Sequence, residues 1–434
     1  MLSMRKSLLK LAIFASLAIP LTANATNGYF AHGYGTKSKA LAGGGSALPQ
    51  DAMIAATNPA GMVWVGERMD LGVAIFSPWR EYTVTGDASP DGAPFFDLAV
   101  ENVESDSNYF PIPHFARNWM LDADSSAGVT VYGNGGMNTD YPGTAGFGMG
   151  TFFGTSAGGE AGAGVDLAQL FINTSYARKL NDTSSWGVSA IIAYQRFKAT
   201  GLAAFGPYSS DNTKLTDNGY DDSYGFGAKL GWQGEVRPGT TLAAAYQTKI
   251  TMGEFDKYAG LFAEQGGFDI PATWTLGLAH DVTAAGTVTF DVQTIYYNDI
   301  KSIANPLLPN LQTTPLGNNN GAGFGYEDMT IYKLGYQWST DPDWTWRAGY
   351  STGKQPIPTS EVLFNILAPA VMEQHITGGF TLNTGADSEF NFTAMYAPNS
   401  SVTGPNPLSG PTPDQNIKLE MSQWELEASW AWKY

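Results

Sequence analysis

The chain has 434 residues, 51 of them Gly and 24 Pro, with 13% aromatic and only 15% charged side chains. That balance is unusual for a soluble protein of this length and suits one large all-β unit better than several small domains. A net charge of −17 argues against a nucleic-acid partner, since a phosphate-binding surface must be basic. With no Cys, disulfides and thiolate metal sites are excluded as well.

At the N-terminus, Arg5, Lys6 and Lys10 precede the apolar run from Leu11 to Leu21, and Ala23-Asn24-Ala25 supplies a small-residue cleavage pattern. Residues 1–25 therefore read as a signal peptide. The run is shorter than the roughly 20 residues a spanning helix needs. Residues 26–66 follow, rich in glycine and small side chains, with the turn Asn58-Pro59-Ala60. Ordered glycine loses more backbone entropy than other residues, so such a segment needs a container. It is expected to be a plug within a wall formed by residues 67–434.

The wall reads as strands of period two. Met69, Leu71, Val73 and Ile75 oppose Arg68, Asp70, Gly72 and Ala74. Similar faces recur at 186–195, 223–233, 242–250, 274–278, 288–293, 332–338, 344–351 and 389–396, with less regular candidates at 108–120, 126–134, 165–180 and 373–382. The final strand carries Trp424, Leu426, Ala428, Trp430, Trp432 and Tyr434 on one face and Glu425, Glu427 and Lys433 on the other. One face suits lipid and the other a polar lumen. The count is about fourteen, and short links alternate with long ones without a break, as periplasmic turns and extracellular loops do. The fold class is thus all-β, a transmembrane antiparallel barrel with an N-terminal plug (hatch) in its lumen. The long links are expected at 78–107, 135–164, 199–220, 252–271, 301–325, 353–372 and 398–418. In one of them Phe255, Tyr258, Leu261 and Phe262 recur at helical spacing, which predicts a short amphipathic helix between Glu254 and Gly266.

Several stretches resemble the outer-membrane long-chain fatty acid transporter family, which includes uptake channels for aromatic hydrocarbons. They are Thr26-Asn27-Gly28-Tyr29-Phe30, His32 to Lys37, Ala42-Gly43, Ala47 to Asp51, Asn58-Pro59-Ala60-Gly61, Gly133 to Tyr141 and Phe255 to Phe262. The resemblance implies a bacterial outer-membrane location, capture of apolar ligand near the outer loops, an internal site touching the hatch, and sideways exit through a gap at a kinked strand.

Candidate sites follow. Asn58 and Pro59 fix a turn, because the residue before proline is pushed out of the helical region; the resemblance makes Asn58, Pro59 and Ala60 a hatch hinge. Gly133, Asn134, Gly135 and Gly136 end a strand whose glycines cannot pack, which marks a bulge or bend, or a turn into the long loop. Phe255, Tyr258, Leu261 and Phe262 are candidates for outer-loop capture. A carboxylate ligand in an apolar lumen would need a cation, and Lys37, Lys39, Arg178, Arg196, Lys229 and Arg347 are the candidates, unless each pairs with Asp51, Asp70 or Glu389. The four histidines, His32, His114, His280 and His375, show no metal-ligand spacing, so no metal, cofactor or catalytic residue is expected, although a serine facing His375 on an adjacent strand stays open. No P-loop is present to couple transport to nucleotide.

The expected function is passive uptake of hydrophobic molecules, long-chain fatty acids first and aromatic or aliphatic hydrocarbons second. A general porin, which must keep its pore unfilled, and an outer-membrane hydrolase or adhesin are the alternatives. Expected partners are the ligand, outer-membrane lipids and the barrel-assembly machinery, which would read the C-terminal aromatic strand.

Overall fold

The computed structural model describes residues 26–86, 98–142, 162–409 and 414–434. The signal-peptide expectation, residues 1–25, lies outside them, as do parts of three long links. Fourteen strands form the wall: β1 (Arg68–Gly86), β2 (Phe110–Met120), β3 (Ser125–Tyr141), β4 (Ala163–Asn181), β5 (Ser184–Thr200), β6 (Asp221–Arg237), β7 (Thr240–Gln247), β8 (Thr273–Thr283), β9 (Gly286–Ile295), β10 (Met329–Ser339), β11 (Trp344–Gly353), β12 (Gln374–Gly385), β13 (Ser388–Pro405) and β14 (Gln415–Lys433). Each pairs antiparallel with its neighbours in sequence, and β14 pairs with β1 from Arg68↔Lys433 to Gly86↔Gln415. The ring closes, so, apart from one interruption between β2 and β3, the backbone groups of the wall find partners without water, as a structure immersed in lipid requires. Among the described residues no helix is long and apolar enough to cross a membrane.

The alternation in the sequence becomes an inside-out burial pattern. Leu71, Val73, Ile75, Ile192, Leu230, Leu276, Leu334 and Leu426 are exposed on the outer face, while Asp70, Ser189, Lys229, Asp291, Lys333, Glu389 and Glu427 are buried within. Outward Trp119, Trp186, Trp232, Trp346 and Trp430 lie toward the short turns, and Tyr224, Tyr246, Tyr332, Tyr350 and Tyr396 lie toward the long loops. Paired aromatic girdles of this kind sit at membrane interfaces.

Three local expectations are corrected. β1 does not stop at Pro78 but continues to Gly86, because β14 pairs with it throughout (Pro78↔Gln423). β13 likewise runs past Pro398, which is absorbed where its register against β14 shifts between Ala397 and Ser400; proline in a sheet survives at such irregularities. The helix between Glu254 and Gly266 does not form. Only a turn of 3-10 helix, Asp256–Tyr258, and a four-residue turn, Ala263–Gly266, are present. Glu264 and Gln265 there adopt left-handed φ of 59° and 57°, and Gly266 a φ of +106°, so the chain reverses instead of continuing a helical face.

Candidate functional site

Residues 26–66 lie among inward-facing side chains from most of the wall. Gly45 and Ser46 donate backbone N–H to Asp291 of β9 at 2.7 and 3.0 Å. Thr377 of β12 accepts from Ala42 N (3.0 Å) and donates to Ala40 O (2.9 Å), and Thr393 of β13 donates to Thr36 O (2.7 Å). On the opposite side, Asn118 of β2 donates to Met62 O and Gly66 O, and Ser185 of β5 donates to Ala60 O. Asn58 closes its own turn by accepting from Ala60 N (3.2 Å), and its amide donates to Ser46 O (3.1 Å) and to Trp232 O of β6 (3.3 Å). Asn58, Pro59 and Ala60 are therefore pinned both to the segment and to the wall.

The lumenal charges form a buried network near the short-turn end. Lys37 Nζ meets Glu389 at 2.5 Å, and Arg68 Nη2 bridges Asp70 and Glu389, both at 2.6 Å. Lys39 sits between Glu425 (2.8 Å) and Glu427 (2.7 Å), and Thr36 also donates to Glu427. Arg347 is held by Gln50 and Thr381, and Lys229 by Ala56 O. Arg178 and Arg196 do not belong to this lumen. Arg178 is exposed, and Arg196 lies with the outward parity of Ile192 and Tyr194, its guanidinium 4.4 Å from the Tyr220 ring centroid. Ser351 of β11 and His375 of β12 do meet (Oγ to Nδ1, 3.1 Å). No carboxylate orients that histidine among the described residues, and its Nε2 has no hydrogen-bond partner, so the orienting third group that activates a serine is missing.

The wall itself is incomplete at one place. β2 pairs with β3 only from Phe115↔Val131 to Met120↔Ser126, whereas on its other side it stays paired with β1 up to Phe76↔Phe110. Beyond Val131, β3 leaves β2, and its register against β4 slips between Gly133 and Gly135. The link that precedes β2 meets β3 at the rim, where Asp106 N donates to Asp140 O (2.8 Å), Asp140 N to Ser105 Oγ (3.0 Å) and Ser107 Oγ to Asn138 Oδ1. Between lies a window bounded by residues 109–114 and 132–137. Pro111 and Pro113 lie on its β2 edge, where an absent N–H leaves no acceptor unmet. From inside, residues 29–31 dock on the freed edge of β3. Phe30 bridges Gly135, Ala31 N donates to Asn134 O (2.9 Å), and Gly136 N donates to Tyr29 O (2.8 Å). Gly135 is required by this close approach, since a Cβ there would stand 1.9 Å from Tyr29 O. Tyr297 secures the docked turn: Tyr29 N donates to its hydroxyl (3.2 Å), which in turn donates to Asn27 O.

Toward the long loops an apolar pocket is lined by Phe197, Phe205, Phe262, Phe324, Phe364, Leu261 and several aliphatic groups. Ser302 supplies its one side-chain hydroxyl, which is committed to Gly267 O at 2.6 Å. Leu261 and Phe262 face this cavity; Phe255 and Tyr258 support it from behind. Tyr258 is fully buried, accepts from Ala199 N and donates to Gly219 O (2.6 Å), and burial pushes its phenol pKa up. Aromatic rings link cavity to window, with centroids 4.6 Å apart for Phe197–Phe262, 4.8 Å for Phe262–Phe268, 6.0 Å for Phe268–Tyr29 and 5.3 Å for Tyr29–Phe30.

Residues 18–406 match the family described as outer membrane protein transport protein (OMPP1/FadL/TodX), and the chain belongs to this family. It is 22% identical over 405 residues to the long-chain fatty acid transport protein of Escherichia coli (strain K12), covering 83% of this chain and 84% of that one. It is 24% identical over 293 residues to the protein of that description from Salmonella typhi, covering 60% of this chain and 66% of the relative. Among solved structures, the Pseudomonas putida toluene transporter TodX superposes with a TM-score of 0.68 at 18% identity, covering 93% of this chain and 99% of that one. A Pseudomonas aeruginosa FadL homologue gives 0.66 at 14% identity, covering 94% and 99%. The chain is thus an outer-membrane transport barrel for hydrophobic molecules, and the members of its family are channels, not enzymes.

Proposed function

We propose that the apolar cavity between the long loops captures hydrophobic molecules from outside the cell, and that they pass along the aromatic rings to residues 29–31 and leave sideways through the window into the bilayer. Residues 26–66 act as the hatch that keeps the lumen closed to ions. The observation that carries this reading is the window, an interruption of a wall that otherwise closes, linked to the apolar pocket by aromatic rings and, among the described residues, covered from inside by the N-terminal segment. Sideways exit has a physical reason. A long chain delivered to the periplasm would give up about 0.8 kcal/mol for each methylene returned to water, whereas the bilayer keeps it in hydrocarbon. Long-chain fatty acids, the cargo named for the relatives in E. coli and S. typhi, and aromatic hydrocarbons, named for TodX, are both compatible with the outer cavity.

A disulfide tests the route. Ala31 and Asn134 are neighbours in the antiparallel register of the docked segment, at the spacing a cross-strand bridge can span. With no native Cys to interfere, the pair Ala31→Cys and Asn134→Cys should lock the window when oxidised, stopping uptake while ligand still binds, and reduction should restore it. Uptake that continues with the bridge demonstrably formed would refute lateral exit.

A further inference from the structure

On the lipid-facing side of the wall, one stretch past the outer aromatic girdle gathers cations. The outward positions of β5 run Ile192, Tyr194, Arg196 and Lys198, and on β6 Phe226 and Tyr224 lie opposite the first two. The Tyr194 and Tyr224 rings are 5.2 Å apart. At about 3.3 Å per residue, Arg196 and Lys198 stand roughly 7 and 13 Å farther along the strand, where headgroups replace hydrocarbon. Both converge on one ring, that of Tyr220, with the Arg196 guanidinium 4.4 Å and the Lys198 ammonium 5.2 Å from its centroid. Lys257 joins them by donating to the Tyr220 carbonyl at 2.5 Å.

Among the described residues none of these three cations forms an ion pair, whereas Lys249, Lys354 and Lys418, at the long-loop ends of other strands, are bound to Asp269, Glu327 and Glu420 at 2.9, 3.1 and 2.7 Å. The acids that face the cluster are taken by neutral donors. Asp166 accepts from the Tyr220 hydroxyl (2.5 Å), Asp222 from the Tyr194 hydroxyl (2.6 Å) and Asp221 from the Lys257 backbone N–H (2.8 Å). Arg196 Nε has no hydrogen-bond partner. Like charges gathered around one ring repel, and an anion seated among them removes that repulsion. Directly below, the wall is apolar and open: Tyr224 is 63% and Phe226 71% exposed, and Ile192 and Leu230 continue the strip.

We propose that Arg196, Lys198 and Lys257 form a docking site for the phosphate of a phosphorylated lipid in the outer leaflet, whose acyl chains lie along Ile192, Tyr224, Phe226 and Leu230. A lipid is the occupant because the cations stand at headgroup height and the apolar strip begins beneath them; basic clusters at that depth recognise anionic headgroups, and the guanidinium fork matches phosphate oxygens. The site also touches the outer pocket. Gly219, next to Tyr220, accepts from the Tyr258 hydroxyl (2.6 Å), and the Tyr258 ring packs on Phe197 of the pocket wall at 4.9 Å. A lipid seated on Tyr220 therefore braces that wall from outside.

The test is native mass spectrometry of the purified full-length barrel in detergent, titrated with dioleoyl phosphatidate or with dioleoylglycerol, with heat-modifiable gel mobility as the check on folding. The two probes share their chains and differ in the phosphate. Phosphatidate should bind at least about tenfold more tightly, the size of one charge-assisted hydrogen bond. Combining Arg196→Gln, Lys198→Gln and Lys257→Gln should bring phosphatidate to the level of dioleoylglycerol and leave the latter unchanged, Arg196→Lys should keep part of the preference, and Lys418→Gln, at an ion-paired lysine elsewhere on the rim, should keep all of it. Equal binding of the two probes by the intact protein, or a preference that survives the triple substitution, would overturn the site. Displacement of phosphatidate by an equal concentration of inorganic phosphate would overturn the lipid as its occupant.

Discussion

Replacing Gly135 by Ala adds one methyl group where residues 29–31 lie against β3. The new Cβ would stand 1.9 Å from Tyr29 O and 2.9 Å from Phe30 Cα. Both are backbone atoms, so no side chain can swing away, and the docked segment must withdraw. Withdrawal breaks the hydrogen bonds from Ala31 N to Asn134 O and from Gly136 N to Tyr29 O, worth about 0.5–1.5 kcal/mol each. A loss of about 1–3 kcal/mol raises the undocked population by about 5–150-fold. The wall should not notice, because β3 pairs with β4 on its far side up to Tyr141↔Ala163. Hydrogen exchange at the Ala31 and Gly136 amides should therefore accelerate by that factor while heat-modifiable mobility is unchanged, and uptake of a hydrophobic ligand should rise if undocking limits it. Wild-type protection at both amides would show that the segment does not cover the window.

Two further substitutions probe the other attachments of residues 26–66. Asn58→Ala removes two donated bonds and one accepted bond, loosening the segment by about 1.5–4.5 kcal/mol; planar-bilayer recordings should show more ion leakage from a barrel of normal gel mobility, and silent bilayers would remove Asn58 from the proposed hatch. Lys39→Ala leaves Glu425 and Glu427 buried without their cation, at a cost of about 3–5 kcal/mol; limited proteolysis should then cut within residues 26–66, and a protease-resistant variant would mean that the ionic network does not anchor the segment.

The barrel was legible because its signal is period two, and that signal survives wherever one face meets lipid and the other a polar lumen. It failed where proline interrupted it. Pro78 and Pro398 read as the starts of loops, yet both lie within long strands. Ending β1 at Pro78 placed Arg80 in a loop, and so hid an arginine of the strand that donates to Asn138 O and Ser107 O at the rim of the window. Pro111 and Pro113 carried the complementary signal: two prolines in one strand indicate an edge, and β2 has an open edge beside them. Parity could also have sorted the cations, since Arg196 shares the outward face of Ile192 and Tyr194. Apolar spacing between Phe255 and Phe262 suggested a helix, but those rings are buried by contacts with distant Phe197 and Phe268, an arrangement with no local periodicity to betray it.

The attachments of residues 26–66 are of two unequal kinds, and the difference bears on how the barrel could pass an apolar molecule without opening to water. Near the short turns, Lys37 and Lys39 are held by buried carboxylates of the wall, and separating such pairs leaves charges stranded in a desolvated lumen. At the window, residues 27–31 are held by two backbone hydrogen bonds to β3, two contacts with the Tyr297 hydroxyl, and ring packing. These are individually small terms, and a hydrocarbon ligand can replace the ring packing. The part of the segment that moves at least cost is therefore the part that covers the window, while the part that blocks the lumen stays anchored. On the proposed sideways route, a channel built this way would open toward lipid before it opens toward water.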